Sequence, residues 1–193
     1  MYNLKIIIAS TRPGRKGPAL ADWIFETAKK YPEFSVELLD LAVINLPFLD
    51  EPNHPKLQKY TKEHTKKWSE TISAADAFIF VTPEYNFGYP APLKNALDFL
   101  YNEWAYKPVA FVSYGGIAGG TRSMQAIKQV LTAMNLVPVL AAVNVPFFTK
   151  YIDEQNKFNA DEHMQRAAEG MLKELLKWTE ALQAMRNKTA VVK

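Results

Sequence analysis

No cysteine occurs among the 193 residues. Disulfides, thiol nucleophiles and cysteine-ligated metals are therefore excluded, and a reducing compartment such as the cytoplasm is the expected setting. The three histidines, His54, His64 and His163, lack ligand spacing, so no metal site is expected from them. Charge of one sign is scarce as well. The 23 basic and 20 acidic residues leave a net charge of +3 and are scattered, without the dense basic stripe of a nucleic-acid binder. No apolar run approaches a membrane span, and Ile6-Ile7-Ile8-Ala9 is too short for a signal-peptide core. Neither nucleic acid nor membrane is expected as a partner. Glycine is sparse and uneven: of eight in the chain, four fall within residues 115–120.

What is present suits one core. With 48% apolar and 22% charged residues, the chain reads as a single globular domain over 1–186, with a tail at 187–193 expected to fray. Nearly continuous, β-branched runs at 4–9, 35–40, 77–82, 108–113 and 138–143 read as strands buried on both faces. Amphipathic stretches near 17–30, 56–74, 91–104, 120–134 and 161–185 read as helices between and after them. The alternation predicts an α/β fold, a flavodoxin-like doubly wound five-stranded parallel sheet of order 2-1-3-4-5 with helices on both faces. In the last helix Met164, Ala168, Met171, Leu172, Leu175, Trp178 and Leu182 form one apolar stripe, which reads as core.

In such a sheet, ligands bind beyond the carboxyl ends of the strands where the order reverses, so the loops after strands one, three and four matter most. The first is "STRPGRKGPAL", residues 10–20. Its hydroxyls, its two arginines and the glycines at 14 and 17 suit an anion at a helix N-terminus. It lacks the Lys-Ser/Thr pair of a P-loop and the spaced glycines of the dinucleotide fingerprint, which favours a single terminal phosphate. A polar turn capping the helix is the plainer alternative. The second, "TPEYNFGYPAPLKNALDFL" at 82–100, is stiffened by proline and crowded with aromatics, as suits the edge and face of a flat heteroaromatic ring. A helix start with buried aromatics explains Leu93, Leu97 and Leu100, which share one face, and explains the prolines less well. The third, "SYGGIAGGTR" at 113–122, is a glycine-rich stretch fit for close backbone approach to a ligand, or a flexible connection.

These three motifs, in this order over nearly the whole chain, resemble the NADPH-dependent FMN reductase family, flavodoxin-like flavoproteins that include quinone, azo-dye and chromate reductases. The resemblance implies that Ser10, Arg12 and Gly17 hold the FMN phosphate, with Arg15 as an addition. It implies that Pro83, Glu84, Tyr85 and Asn86 contact the isoalloxazine ring, and that Ser113, Tyr114, Gly115 and Gly116 flank it. Ala9 stands where the family commonly has glycine. The implied activity is transfer of a hydride from NADPH or NADH through FMN to a quinone or similar small acceptor, in a ping-pong sequence with no side-chain nucleophile or metal. The resemblance also implies a homodimer, possibly paired into a tetramer. Leu93, Leu97, Leu100, Tyr101 and Trp104 are expected to supply its apolar interface, and Tyr106 or Phe147-Phe148 of a partner to roof the site. Two other roles compete: a flavodoxin-type single-electron carrier, disfavoured by the lack of an acidic face, and a regulatory protein that keeps the fold without turnover.

Overall fold

Alternation along the central strands decides what lies on each side of the sheet. A computed structural model shows β1 (Tyr2–Ile8), β2 (Phe34–Asp40), β3 (Ala77–Pro83), β4 (Pro108–Gly115) and β5 (Val137–Pro146), all parallel, in the order β2-β1-β3-β4-β5. Every residue of β3 and β4 is buried. Ile79, Val81, Ala110 and Val112 face one cluster, while Phe78, Phe80, Val109 and Phe111 face the other. The flavodoxin-like order expected from the sequence is the observed one.

Among the described residues, six α-helices cover the two faces. Helix α1 (Gly17–Ala28) and α6 (Glu162–Val191) bury Leu20, Ile24, Met171 and Leu175 in the first cluster. The second cluster takes Trp68, Leu97 and Ile127 from α3 (Glu63–Ser73), α4 (Ala91–Asp98) and α5 (Thr121–Ala133). Each large side chain fully buried this way contributes about 1.5–3 kcal/mol. The structure describes the chain through residue 191, with side chains through 186. The tail expected to fray, 187–193, lies outside the residues described in full. Among the described residues no helix is long and apolar enough to cross a membrane.

Several expectations are corrected. A short α2 (Leu41–Ile44) was not anticipated; Asp40 caps it by accepting the Ala42 N–H at 2.9 Å, and Asn45 closes it at φ 49°. The helix expected over 56–74 starts only at Glu63. Before it stands a single turn, Pro55–Leu57, capped by His54 Nδ1 and closed by Gln58 at φ 52°. The helix expected over 91–104 stops at Asp98, and Asn102–Trp104 forms a separate turn. Trp178 falls off the apolar stripe of α6: it is 39% exposed and donates Nε1–H to Glu174. Leu93, Leu97, Leu100 and Trp104 are all buried within the single chain, with Trp104 Nε1 donating to the Leu97 carbonyl. These four are core under the sheet and leave no surplus for an interface; Tyr101 is half-buried and donates its hydroxyl to the Ala133 carbonyl at 3.0 Å.

Candidate functional site

The loop leaving β1 is braced at its root. Arg15 grips Asp40 with both arms of its guanidinium, at 2.7 and 2.6 Å, and donates a third hydrogen bond to the Ser10 carbonyl at 2.9 Å. The hydrogen bond that Arg15 donates to Asp40 raises its pKa despite its burial. One carboxylate thus joins the end of β2, the start of α2 and the anion-ready loop. Arg12 remains exposed, its guanidinium 5.6 Å from the centre of the Tyr85 ring.

Beneath this loop two hydroxyls meet a glycine. A Cβ on Gly17 would lie 2.4 Å from Ser10 Oγ and 2.9 Å from the Tyr114 hydroxyl, so no side chain fits there. Ser10 and Tyr114 are both buried, and neither hydroxyl has a hydrogen-bond partner of acceptable geometry. Burial drives the Tyr114 phenol pKa upward; the neighbouring Ser10 hydroxyl and the charges of Arg12 and Arg15 pull it partly back. Buried hydroxyls are nearly always paired, so two unpaired ones side by side mark a place for an external acceptor.

The loop after β3 is a strained hairpin. Tyr85 and Gly88 exchange backbone hydrogen bonds of 3.0 and 2.9 Å around Asn86 and Phe87, both left-handed at φ 48° and 68°. This is a type I′ turn, which favours Asn and Gly; a phenylalanine at its second position is costly and points to a local role. The Phe87 ring is 64% exposed, with the Arg122 guanidinium stacked 3.9 Å from its centre. Glu84 holds that arginine in place, accepting from Arg122 Nε at 2.6 Å and from its backbone N–H at 3.1 Å. The amides of Glu84 and Tyr85 donate to the Tyr114 and Gly88 carbonyls. They brace the loop rather than present donors to a ligand.

The glycines after β4 divide by cause. Gly119 and Gly120 have φ 58° and 83°, and a Cβ on Gly120 would come within 2.6 Å of the Tyr114 nitrogen. A Cβ on Gly115 would press on the Gly120 nitrogen at 3.2 Å, whereas one on Gly116 would meet nothing within 4 Å. Only Gly116 leaves room for something outside the chain. The Ser113 hydroxyl lies 2.8 Å from both the Gly119 carbonyl and the Asn144 side chain, so it anchors the loop from below.

One cavity of about 180 Å³ gathers these pieces. Arg12 and Arg15 reach it from the first loop, Pro83, Glu84 and Tyr85 from the second, and Tyr114, Gly115 and Gly116 from the third. Ser10, Gly17, Asn86 and Ser113 do not line it: the first two lie against the Tyr114 hydroxyl, Asn86 is on the outer turn, and Ser113 is buried under the glycines. Lys16 and Phe148 complete the wall, Phe148 standing edge-on to Tyr114 at 4.9 Å. Lys16 was not singled out from the sequence, although it directly precedes Gly17; Phe148 was expected to roof the site from a partner and lines it within the same chain, arriving from beyond β5. Among the described residues, no group of three or more His, Cys, Asp or Glu could hold a metal ion.

A doubly wound parallel sheet, with an anion-ready loop and an aromatic loop at its switch point, defines a flavodoxin-like protein. The chain belongs to the NADPH-dependent FMN reductase family, whose model matches residues 3–150. It is 45% identical over 145 residues to an NAD(P)H-dependent FMN reductase of Schizosaccharomyces pombe, covering 73% of this chain and 72% of that protein. To an NADPH:quinone oxidoreductase of Arabidopsis thaliana it is 32% identical over 145 residues, covering 72% and 68%. Among solved structures, the flavoenzyme NAD(P)H:(acceptor) oxidoreductase FerB from Paracoccus denitrificans superposes with a TM-score of 0.73 at 21% identity, covering 94% of this chain and 98% of that one. That likeness is one of fold. The family is one of oxidoreductases that use FMN and NAD(P)H.

Proposed function

We propose that the chain passes a hydride from NAD(P)H through bound FMN to a quinone or similar small acceptor, donor and acceptor taking turns at one open face. The carrying observation is the meeting of three loops at one cavity beyond β1, β3 and β4, in a member of an FMN reductase family. Larger clefts of about 790, 460 and 330 Å³ lie elsewhere, but none joins the three motifs. The donor set fits a flavin monophosphate: two unpaired buried hydroxyls, an exposed arginine and the N-terminus of α1 suit a phosphate, and the space at Gly116 suits a flat edge.

Bound there, FMN supplies the two-electron chemistry between NAD(P)H and acceptor. The chain's own residues hold, orient and shield. Ser10 and Arg12 hold the phosphate, Gly17 keeps the floor open, and Arg15 keeps the loop in shape through Asp40. Pro83, Glu84, Tyr85 and Asn86 form a stiff wall for the ring, because their turn is closed by its own hydrogen bonds. Ser113 fixes the glycine loop so that Gly115 and Gly116 lie along the ring edge. Phe148 supplies an aromatic wall from the same chain, with no partner needed for it.

We place the protein in the reducing cytoplasm, in keeping with its lack of cysteine. A homodimer finds support not in the buried leucines of α4 but in exposed Val43, Phe48 and Leu49, beside an apolar cleft of about 330 Å³ lined by Leu41, Leu46 and, from the start of α4, Pro92.

The test is anaerobic. NADPH or NADH should bleach the absorption of the bound flavin, a quinone should restore it, and double-reciprocal plots at varied acceptor should run parallel. Failure of both nucleotides to bleach a bound flavin would leave the electron carrier in place of the reductase.

A further inference from the structure

We infer that the Tyr114 hydroxyl, paired with that of Ser10, is a ligand for the terminal phosphate of the flavin rather than a neighbour of its ring. This rests on the reading that FMN binds here.

Alternation in β4 sends Ala110, Val112 and Tyr114 to the face covered by α1, not to the face covered by α4. The Tyr114 ring therefore runs under residues 9–17, and its hydroxyl emerges beside Ser10 Oγ where Gly17 has no side chain. Both residues are at least nine-tenths buried, Tyr114 at 3% exposure and Ser10 at 0%. Apart from their loose contact with one another, both hydroxyls lack a hydrogen-bond partner, and Tyr114 lines the cavity. Phe148, edge-on at 4.9 Å, packs against the ring. Burial keeps the phenol protonated, so it serves as a donor, and the nearby charges of Arg12 and Arg15 make the place electropositive. A buried donor pair in a positive field is matched to a phosphate oxygen. Riboflavin, which ends in a hydroxyl, offers it no charge.

Tyr114→Phe keeps the ring and its packing while deleting only the hydroxyl. The protein stripped of flavin would be titrated with FMN and with riboflavin, following flavin fluorescence. Wild type should prefer FMN. In Tyr114→Phe the dissociation constant for FMN should rise about tenfold with that for riboflavin unchanged, so the preference falls about tenfold. Ser10→Ala should lower the same preference, and the double variant should lose less than the product of the two, since both hydroxyls serve one phosphate. If wild type prefers FMN but Tyr114→Phe keeps that preference undiminished, or weakens both flavins equally, the role of Tyr114 is overturned alone. If wild type binds the two flavins equally, the phosphate reading beneath it fails.

Discussion

The amino edge of the sheet opens onto a cleft of about 790 Å³, more than four times the volume of the carboxyl-edge cavity of about 180 Å³. Asp76, Glu103, Lys107 and Arg186 there, however, are all engaged. Lys107 donates to the Ile72 and Ser73 carbonyls at the end of α3, at 2.7 and 3.0 Å. Arg186 donates to the Tyr106 carbonyl and to Asp76. Glu103, only 4% exposed, accepts from Ser69, Tyr60, Gln58 and the Tyr101 amide. The carboxyl edge has the smaller hollow but keeps two buried hydroxyls unpaired and an aromatic residue in a strained turn. Size does not separate the two edges here; the pair of unmet hydroxyls does, whereas Trp23, Thr65 and Ser123 each leave a single polar atom unmet elsewhere.

That contrast is open to tests. The largest effect on stability belongs to the amino edge. Glu103→Ala leaves its donors without an acceptor and should cost about 3 kcal/mol. The melting temperature should fall by about 6–12 °C, with the FMN dissociation constant changed less than about twofold. A matching loss of flavin affinity would erase the distinction between the edges.

Gly17→Ala is the counterpart at the other edge. Its Cβ would collide with Ser10 Oγ at 2.4 Å and with the Tyr114 hydroxyl at 2.9 Å, so FMN affinity should drop about a hundredfold, or about 2.7 kcal/mol. Adding Ser10→Ala removes the tighter clash and should restore part of that loss. Fluorescence titration of both proteins reads the result.

Next comes the pH dependence of the amino edge. Burial and the Arg186 charge lower the Lys107 pKa to about 7, against the opposing pull of Asp76 and Glu103. Between about pH 7 and the ordinary 10.5, the unfolded chain carries a proton on this amine that the folded one lacks. Stability should therefore rise with pH across that window, by about 1.4 kcal/mol per unit from this group. Lys107→Met should lose that rise in denaturant titrations at pH 7, 8 and 9.

The smallest effect is expected at the turn. Phe87→Gly relieves the left-handed phenylalanine but adds chain freedom, so stability should shift by less than about 1 kcal/mol. The acceptor KM should rise about threefold because the exposed ring at the rim is gone.

The strands and their order are legible in the sequence, because runs such as 77–82 and 108–113 are β-branched, apolar and closed by turn signals. The three loops are legible for the same reason, since strand ends locate them. What is not legible depends on distant partners. Helix α3 starts late because Gln58, Tyr60 and Ser69 converge on Glu103, 34 to 45 residues further along. Arg15 reads as an anion donor until the pairing of β1 with β2 brings Asp40 alongside it. Leu97 and Trp104 read as surplus surface until α3 and the sheet cover them. Tyr114 is an intermediate case: period-two alternation already places it with Ala110 and Val112, and so under the first loop, whereas the motif alone suggests the ring.

The Arg15–Asp40 clamp bears on timing. A loop fastened at its root before any flavin arrives has little left to organise at the moment of encounter. Flavin uptake by the empty protein should therefore follow a single phase, first order in each reactant, rather than a fast capture followed by slow rearrangement. Cutting the clamp with Asp40→Asn would bring that second, slower phase into view in a stopped-flow trace.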